Sequence, residues 1–534
     1  MRRILLSVAG AVACAGLALP AAVGPGLAPT AADFAGCAPP PDTVAFQLVV
    51  GTVACQELRD GARLLGPDIA VPFEYYVPPD CVTAGPCPVL YLLHGFGGSY
   101  DEMLGAPGSV TSAWIQAETK ETPAGFESAP WNYADPSTWV PAPSALDMIL
   151  VAPLGQTLPG GYGPAPGLDS YWADWNPRYA LHGGDQRYAT APPRFETFLT
   201  TELPAFVEQY LPTATGRQWQ AIGGVSLGGY GAYKLGLQHP DLYSAMLSVS
   251  GAQNFLFAPA PQPGMVTLPV GVQPPVPVTY VQLPAASGAV LGAPLPSQVG
   301  TFTTALDAFG DPVADQAYFR GNMPTDLAMN GRAFASDGEQ LLGIDGFVND
   351  MVPEQAATGD PGALGSDLSS EPFENIVFPM NVDMEAAFAM QGVANTFAVH
   401  QGNHSDTYRN AWFRGLEEFA SARLARGTTG APGTAAPAEF DYRTISTGFT
   451  IWGWQFAVRR TPVEFLDLRN VSCHGLTLQG SGQVTVTVPA PCGSGLQGSS
   501  TFTVDLGPDQ ATDEPLGLSA TPVYGRTVTV TLAG

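Results

Sequence analysis

Between residues 89 and 404 the chain repeats one device, a short uninterrupted apolar run that stops at glycine or proline. Val89-Leu90-Tyr91-Leu92-Leu93 runs into His94-Gly95-Phe96-Gly97-Gly98, Asp147-Met148-Ile149-Leu150-Val151-Ala152 into Pro153, and Ala245-Met246-Leu247-Ser248-Val249-Ser250 into Gly251. A strand without polar alternation has no face to offer water. Such runs belong in a parallel sheet covered on both sides, with functional loops at its carboxyl ends. Residues 195–210 supply a covering helix, with Phe195, Phe198, Leu199, Leu203, Phe206 and Val207 at helical spacing. The expected fold class is α/β.

One junction in this series carries chemistry. Trp219-Gln220-Ala221-Ile222-Gly223 leads into Gly224-Val225-Ser226-Leu227-Gly228-Gly229 and then Tyr230-Gly231-Ala232-Tyr233-Lys234-Leu235, a strand, a glycine turn and a helix. A serine on a tight, strained strand-to-helix turn needs small neighbours, because side chains there would screen its hydroxyl from a substrate carbonyl. This is the pattern of a nucleophile elbow. In a chain with 62 glycines the Gly-x-Ser-x-Gly string alone is weak, and the strand-turn-helix context gives it meaning. The amide of Leu227 would then face a developing oxyanion.

A serine nucleophile requires a base, and the chain has only six histidines. His404, in Gln401-Gly402-Asn403-His404-Ser405-Asp406, follows the apolar run Thr396-Phe397-Ala398-Val399 and precedes a segment bearing Trp412, Phe413 and Leu416. A loop at a strand end can carry imidazole over the serine, and the order serine, acid, histidine is that of α/β hydrolases. His239 precedes Pro240 at a helix end, His94 opens the glycine loop, His474 lies in the C-terminal region, and His400 is the near rival. The glycine loop after the first long strand would donate the second oxyanion amide from Phe96 or Gly97. For the acid, Asp345 follows the run Gln340-Leu341-Leu342-Gly343-Ile344 and Asp383 is a further choice.

Composition sets limits on partners and compartment. A formal charge of −26 with two lysines, Lys120 and Lys234, opposes binding to nucleic acid or an anionic membrane surface. Arg2 and Arg3, an apolar run from Ile4 to Leu19 and small residues through Ala32 read as an export signal over 1–32, cleaved near Ala22 or Ala32. No later stretch is long and apolar enough to span a bilayer. Export removes Cys14 and leaves six cysteines for an oxidising compartment. Local closure favours Cys37 with Cys55, Cys81 with Cys87, and Cys473 with Cys492. Without Cys-x-x-Cys spacing, and with an export context that favours disulfides, no metal is expected, and the serine chemistry requires no cofactor.

Two stretches interrupt the α/β pattern. Residues 257–300 are rich in proline, valine and alanine and read as an insertion that either drapes over the pocket or lies on the surface. Residues 426–438 read as a linker, which separates an α/β region over 33–425 from a region over 439–534. In the latter, Gln483-Val484-Thr485-Val486-Thr487-Val488, Thr501-Phe502-Thr503-Val504-Asp505-Leu506 and Arg526-Thr527-Val528-Thr529-Val530-Thr531-Leu532 alternate with period two. A sandwich-like all-β arrangement follows from that period. Trp452, Trp454 and Phe456 form either core or an aromatic strip for carbohydrate or cell-wall contact.

Taken together, His94-Gly95-Phe96-Gly97-Gly98, the segment Phe195-Glu196-Thr197-Phe198-Leu199-Thr200-Thr201-Glu202-Leu203-Pro204, the serine turn, and Gly402-Asn403-His404 with Trp412 resemble the secreted putative-esterase family. That family includes esterase D, S-formylglutathione hydrolase, feruloyl esterases and the mycolyltransferase antigens, and the resemblance covers residues 64–424. It implies an α/β-hydrolase fold and acyl transfer from esters through an acyl-serine. Phe373-Glu374-Asn375-Ile376, then Asn381, Gly392 and His404, is similar in spacing to the glutamate segment of the mycolyltransferases, which implies Glu374 as the acid beside the alternatives Asp345 and Asp383. Mycolyltransferases carry an aspartate and a leucine-arginine pair where this chain has His94, Phe96 and Gly97-Gly98, and lack the second glycine after the serine. Water is therefore the expected acyl acceptor, a sugar hydroxyl the second reading, and a non-catalytic secreted binding protein on the same scaffold the third.

Overall fold

In the computed structural model, the described residues are 49–50, 73–76, 81, 86–96, 98, 103, 148–157, 168–176, 194–255, 305–310, 315–334, 344–349, 364–400, 436–460, 463–492, 500–508 and 526–532. The export segment, the insertion over 257–300, most of the linker, Gly97, His404, Cys37 and Cys55 lie outside them.

The first region is built on an eight-stranded sheet. Its strands are β1 (Val49–Val50), β2 (Phe73–Tyr76), β3 (Val89–Leu93), β4 (Ile149–Pro153), β7 (Gln220–Val225), β8 (Ala245–Val249), β9 (Ile344–Asn349) and β10 (Thr396–His400). A two-stranded ribbon, β5 (Gln156–Thr157) and β6 (Leu168–Asp169), stands beside it. The sheet order is β1-β2-β4-β3-β7-β8-β9-β10, antiparallel at β1/β2 and β2/β4 and parallel from β4 to β10. Strands β3, β4, β7 and β8 are buried at every residue, as continuous apolar runs require.

Three helices matter for the site: α1 (Leu203–Tyr210), α2 (Leu227–Gln238) and α3 (Leu364–Gln391). The expected single helix over 195–210 is divided. A short α turn, Phe195–Thr197, passes into a π-helical turn, Phe198–Glu202, before α1 begins. Pro204 has no N–H to give the carbonyl four residues back, and the Leu203 amide instead bonds the Phe198 carbonyl five residues back. The strand expected to end at Ile344 begins there instead, so Asp345 lies inside β9, opposite Leu247 of β8 and Thr396 of β10.

The C-terminal region consists of β11 (Phe440–Thr444), β12 (Gly448–Ile451), β13 (Trp454–Arg459), β14 (Leu466–Ser472), β15 (Gly475–Gly480), β16 (Gln483–Thr487), β17 (Thr501–Asp505) and β18 (Arg526–Thr531). They form two antiparallel four-stranded sheets, β11-β14-β15-β18 and β12-β13-β16-β17. One apolar cluster joins them, with Tyr442, Leu468, Leu478 and Val530 from the first sheet and Trp454, Phe456, Val486 and Phe502 from the second. Trp454 and Phe456 are therefore core, and Trp452 is half-buried against the edge of the same cluster. Disulfides close Cys81–Cys87 and Cys473–Cys492, as local closure favoured.

The two regions meet along a polar seam. Asn330 Nδ2 donates to the Arg443 carbonyl (2.9 Å) and the Arg443 amide to Asn330 Oδ1 (2.7 Å). The Tyr442 hydroxyl donates to the carbonyl of Gln238, the last residue of α2 (2.6 Å). Trp452 donates from its amide to Asp241 (3.1 Å) and from Nε1 to the Ala333 carbonyl (3.1 Å), under the guanidinium of Arg217. Among the described residues no helix is long and apolar enough to cross a membrane.

Candidate active site

Ser226 joins β7 to α2 with φ 54° and ψ −119°, a backbone conformation that side chains with a Cβ rarely adopt. It is held there from both sides. Its amide donates to the Val249 carbonyl (2.8 Å) at the end of β8, and its carbonyl accepts from the Tyr230 amide (3.0 Å) in the first turn of α2.

The surrounding glycines are steric necessities. A Cβ at Gly224 would stand 2.1 Å from the Gly228 carbonyl oxygen, and one at Gly228 would stand 1.9 Å from the Leu93 carbonyl oxygen. The turn therefore interlocks with the end of β3, where the glycine loop starts. At Gly95 a Cβ would lie 3.3 Å from Ser226 Cβ and 3.8 Å from Oγ. The loop thus runs against the serine, and its Gly98 amide closes a turn on the Gly95 carbonyl (3.1 Å). Leu227 is buried as the first residue of α2, and Phe96 is half-buried against the Tyr171 ring. Of the two candidate oxyanion amides with described positions, Leu227 follows Ser226 directly in the chain and Phe96 follows the glycine whose Cβ position lies against the serine. Amides in the first turn of a helix also carry the positive end of its dipole.

His94 is wholly buried and both ring nitrogens are engaged. Nδ1 bonds the Gly95 carbonyl (2.7 Å) and Nε2 accepts from the Gly155 amide (2.8 Å). Burial pulls its pKa down to about 4, against a smaller upward effect of the Gly95 carbonyl. A ring with both nitrogens so occupied has no lone pair left to take a proton from the serine.

The candidate acids occupy three different settings. Glu374, on α3, is fully buried, and Oε1 accepts from the Ser250 hydroxyl (2.7 Å). Ser250 closes β8 in a left-handed conformation (φ 45°), one residue beyond the carbonyl that holds the Ser226 amide. Asn381, two turns of α3 further on, donates to the Gly251 carbonyl (2.8 Å) and clamps the helix to the same strand end. Asp383 is half-buried, bonded by Asn254 Nδ2 (3.3 Å), with burial raising its pKa against the lowering by Asn254. Asp345 lies level with Leu247, two residues before the register pair Val249↔Phe347 that neighbours the serine turn. Glu374 is thus the candidate tied to a strand end adjoining Ser226. His404, the expected base, lies outside the described residues. His400 closes β10, opposite Asn349.

Behind the loop stands a group of residues that sequence reading missed. Tyr171 and Trp172 are consecutive left-handed residues (φ 53° and 48°), both buried. The Trp172 ring lies edge-on to His94 with centroids 4.9 Å apart. Lys234, fully buried on α2, contacts the Trp172 carbonyl (3.4 Å) and pairs with Glu196, whose other oxygen meets His239 Nε2 (3.2 Å). Burial would raise the Glu196 pKa, but Lys234 and His239 outweigh it and hold it down to about 2. A lysine inside an otherwise apolar and glycine-rich helix was the available signal, in a chain with only two lysines.

Residues 165–281, which contain the serine turn, match the family model described as Putative esterase. Over 91 residues the chain is 34% identical to the diacylglycerol acyltransferase/mycolyltransferase Ag85A of Mycobacterium leprae (strain TN), a stretch covering 16% of this chain and 24% of that protein. The chain thus matches about a quarter of the relative's length. Similar solved structures include a ferulic acid esterase (16% identity, TM-score 0.38, covering 70% of this chain and 97% of that one). Another is an S-formylglutathione hydrolase from Agrobacterium tumefaciens (14% identity, TM-score 0.37, 66% and 90%).

Proposed function

Proceeding from a segment over 165–281 that belongs to the putative-esterase family, we propose that this protein is a secreted serine esterase of α/β-hydrolase fold, with an all-β domain over 439–534. The observation that carries the reading is the strained Ser226 backbone at the β7–α2 turn, with Gly95 of the oxyanion loop against it. Strain of this kind, held by hydrogen bonds on both sides, is a feature of reactive sites more than of ordinary turns.

In the proposed reaction the Ser226 hydroxyl attacks the ester carbonyl while His404 takes its proton. Glu374 orients the imidazole and stabilises its charged form. Amides of Leu227 and of Phe96 or Gly97 hold the oxyanion. The tetrahedral intermediate expels the alcohol, which leaves with the proton from His404. Water, deprotonated by the same imidazole, then attacks the acyl-serine, releases the carboxylic acid and restores the hydroxyl. These steps are the same for a small, lipidic or polymer-linked ester.

Labelling with an organophosphate tests the reading. One equivalent is expected on Ser226, with parallel loss of p-nitrophenyl ester hydrolysis and no labelling of Ser226→Ala. Labelling of Ser226→Ala to the same extent overturns it. The short, 34% identical match to a mycolyltransferase favours a second reading in which a sugar hydroxyl takes the acyl group. If a synthetic ester's acyl group passes mainly to trehalose and not to water, that reading replaces hydrolysis.

A further inference from the structure

We propose that His94 is a positioning residue of the oxyanion loop, its imidazole stapling the carboxyl ends of two adjacent strands so that Gly95 stays against Ser226. The inference rests on the serine-esterase reading above and adds to it a residue with no part in proton transfer.

The partners fix the chemistry of the ring. A carbonyl can only accept, so the Gly95 oxygen at 2.7 Å requires hydrogen on Nδ1. A peptide N–H can only donate, so the Gly155 amide at 2.8 Å requires a lone pair on Nε2. The ring thus joins the loop after β3 to the residue two beyond the end of β4, and these strands are parallel neighbours in the sheet. Its orientation is fixed as well. The Trp172 ring packs across it with centroids 4.9 Å apart, and the indole is wedged where Cβ atoms on Gly155 and Gly231 would come within 2.4 and 2.5 Å of it. Gly231 belongs to α2, the helix that Ser226 caps, so one indole touches the helix, the β4 loop and the staple.

The consequence lies at Gly95. A Cβ added at Gly95 would lie 3.3 Å from Ser226 Cβ, so the loop runs close beside the serine, and outward movement withdraws the following amides from the oxyanion. Misplacing a reacting geometry by an ångström costs about a hundredfold in rate, similar to removing one oxyanion donor. A histidine buried only to fill space would hydrogen-bond wherever the core allowed. This one bonds its own loop and the neighbouring strand's loop at the sheet end that bears the serine.

The test uses the full chain, p-nitrophenyl acetate, and an arylboronic acid as a tetrahedral analogue, with His94→Phe, His94→Gln and Ser226→Ala. His94→Phe keeps the ring against Trp172 and loses both hydrogen bonds. It is expected to lower kcat about a hundredfold, to leave KM within about threefold, and to weaken the boronate by the same factor as kcat. His94→Gln, which keeps an acceptor for Gly155, is expected to recover to within about tenfold of the parent on both measures. Parental kcat and boronate affinity in His94→Phe, or a kcat loss with unchanged boronate affinity, overturns the staple. Should His94→Phe not fold, His94→Leu, which also lacks both hydrogen bonds, takes its place, and parental values of both quantities in that variant overturn the staple. Parental turnover by Ser226→Ala removes the serine reading instead, and the staple with it.

Discussion

The two regions of the chain treat burial and backbone strain in opposite ways. In the α/β region, strands β3, β4, β7 and β8 are buried along their whole length, whereas β13 alternates between buried and exposed at every residue. Polar residues of the C-terminal sheets sit mostly on exposed faces, as in the paired hydroxyls Thr477/Thr529, Thr485/Thr503 and Thr487/Thr501. The α/β region seals His94, Ser226, Lys234, Ser250 and Glu374 inside it near the serine turn, while the C-terminal region buries Asp441, Asp467 and Ser481. Left-handed non-glycine residues divide similarly, with Tyr171, Trp172, Ser226 and Ser250 close about the candidate site and Trp452 and Asn470 in the C-terminal region. Buried polarity and strain each cost free energy, and their concentration in one place is what separates a reactive site from a scaffold.

The sharpest break of this comparison pairs a substitution in each region. Ser226→Ala is expected to lower kcat on the order of a million-fold with no loss of thermal stability. Trp454→Ala, from the C-terminal core, is expected to cost about 3–5 kcal/mol of stability and to leave kcat of the folded protein unchanged. Steady-state kinetics beside urea unfolding checks both, and an active Ser226→Ala protein would dissolve the distinction.

How much of this could be read in the sequence also differs between the regions. Period-two alternation located β16, β17 and β18 to within a residue at each end, because a half-buried strand writes its face into every second side chain. Uninterrupted apolar runs located β3 and β8 equally well and β4 to within two residues. β9 was shifted because Asp345 and Asn349 give Ile344–Asn349 a polar look, and its place comes from pairing on both sides with β8 and β10. α3 was not foreseen because Pro372 and Pro379 stand inside it and proline removes a helical donor. At the site, the serine turn was legible from its glycines. The Ser250–Glu374 bond was not, since it joins residues 124 apart with no local pattern in either segment.

The next test concerns charge in the two regions. Glu196 pairs with fully buried Lys234, so Glu196→Gln leaves an ammonium without its counter-charge and is expected to cost about 3–5 kcal/mol. At the seam, Arg332 is 45% exposed beside Asp441, and Arg332→Gln is expected to cost at most about 1 kcal/mol. Chemical denaturation of the two variants gives the contrast directly, and equal losses would show that burial does not separate the regions in this respect.

Acid should act first on the α/β region. His94 has its folded pKa lowered from 6.5 to about 4, chiefly by burial. Between those values the unfolded chain takes up a proton that the folded chain refuses, so stability falls as pH drops from 6.5 toward 4. Across that window the loss amounts to about 3 kcal/mol at 1.36 kcal/mol per pKa unit. Glu196, lowered to about 2 against the opposing effect of burial, contributes stability that is complete above 4.5 and is lost as pH falls through 2. Unfolding free energies at pH 7 and pH 4.5 should differ less in His94→Phe than in the parent. An unchanged difference would assign the acid loss to groups other than His94.

The smallest effect tests the seam itself. Trp452 gives its Nε1–H to the Ala333 carbonyl and lies under Arg217, whose guanidinium also stacks on Phe334. Trp452→Phe keeps a ring for the guanidinium and removes the donor, which is expected to cost about 1 kcal/mol. The Tyr442 contact falls at the carboxyl end of α2, while Ser226 stands at its amino end. A twelve-residue helix separates the two, so kcat should stay within about twofold if hydrogen bonding at the seam supports only the packing of the regions. A larger change in kcat at constant KM would show instead that the C-terminal sheets help set the position of the nucleophile helix, and the division between reactive region and scaffold would then have to be drawn inside α2.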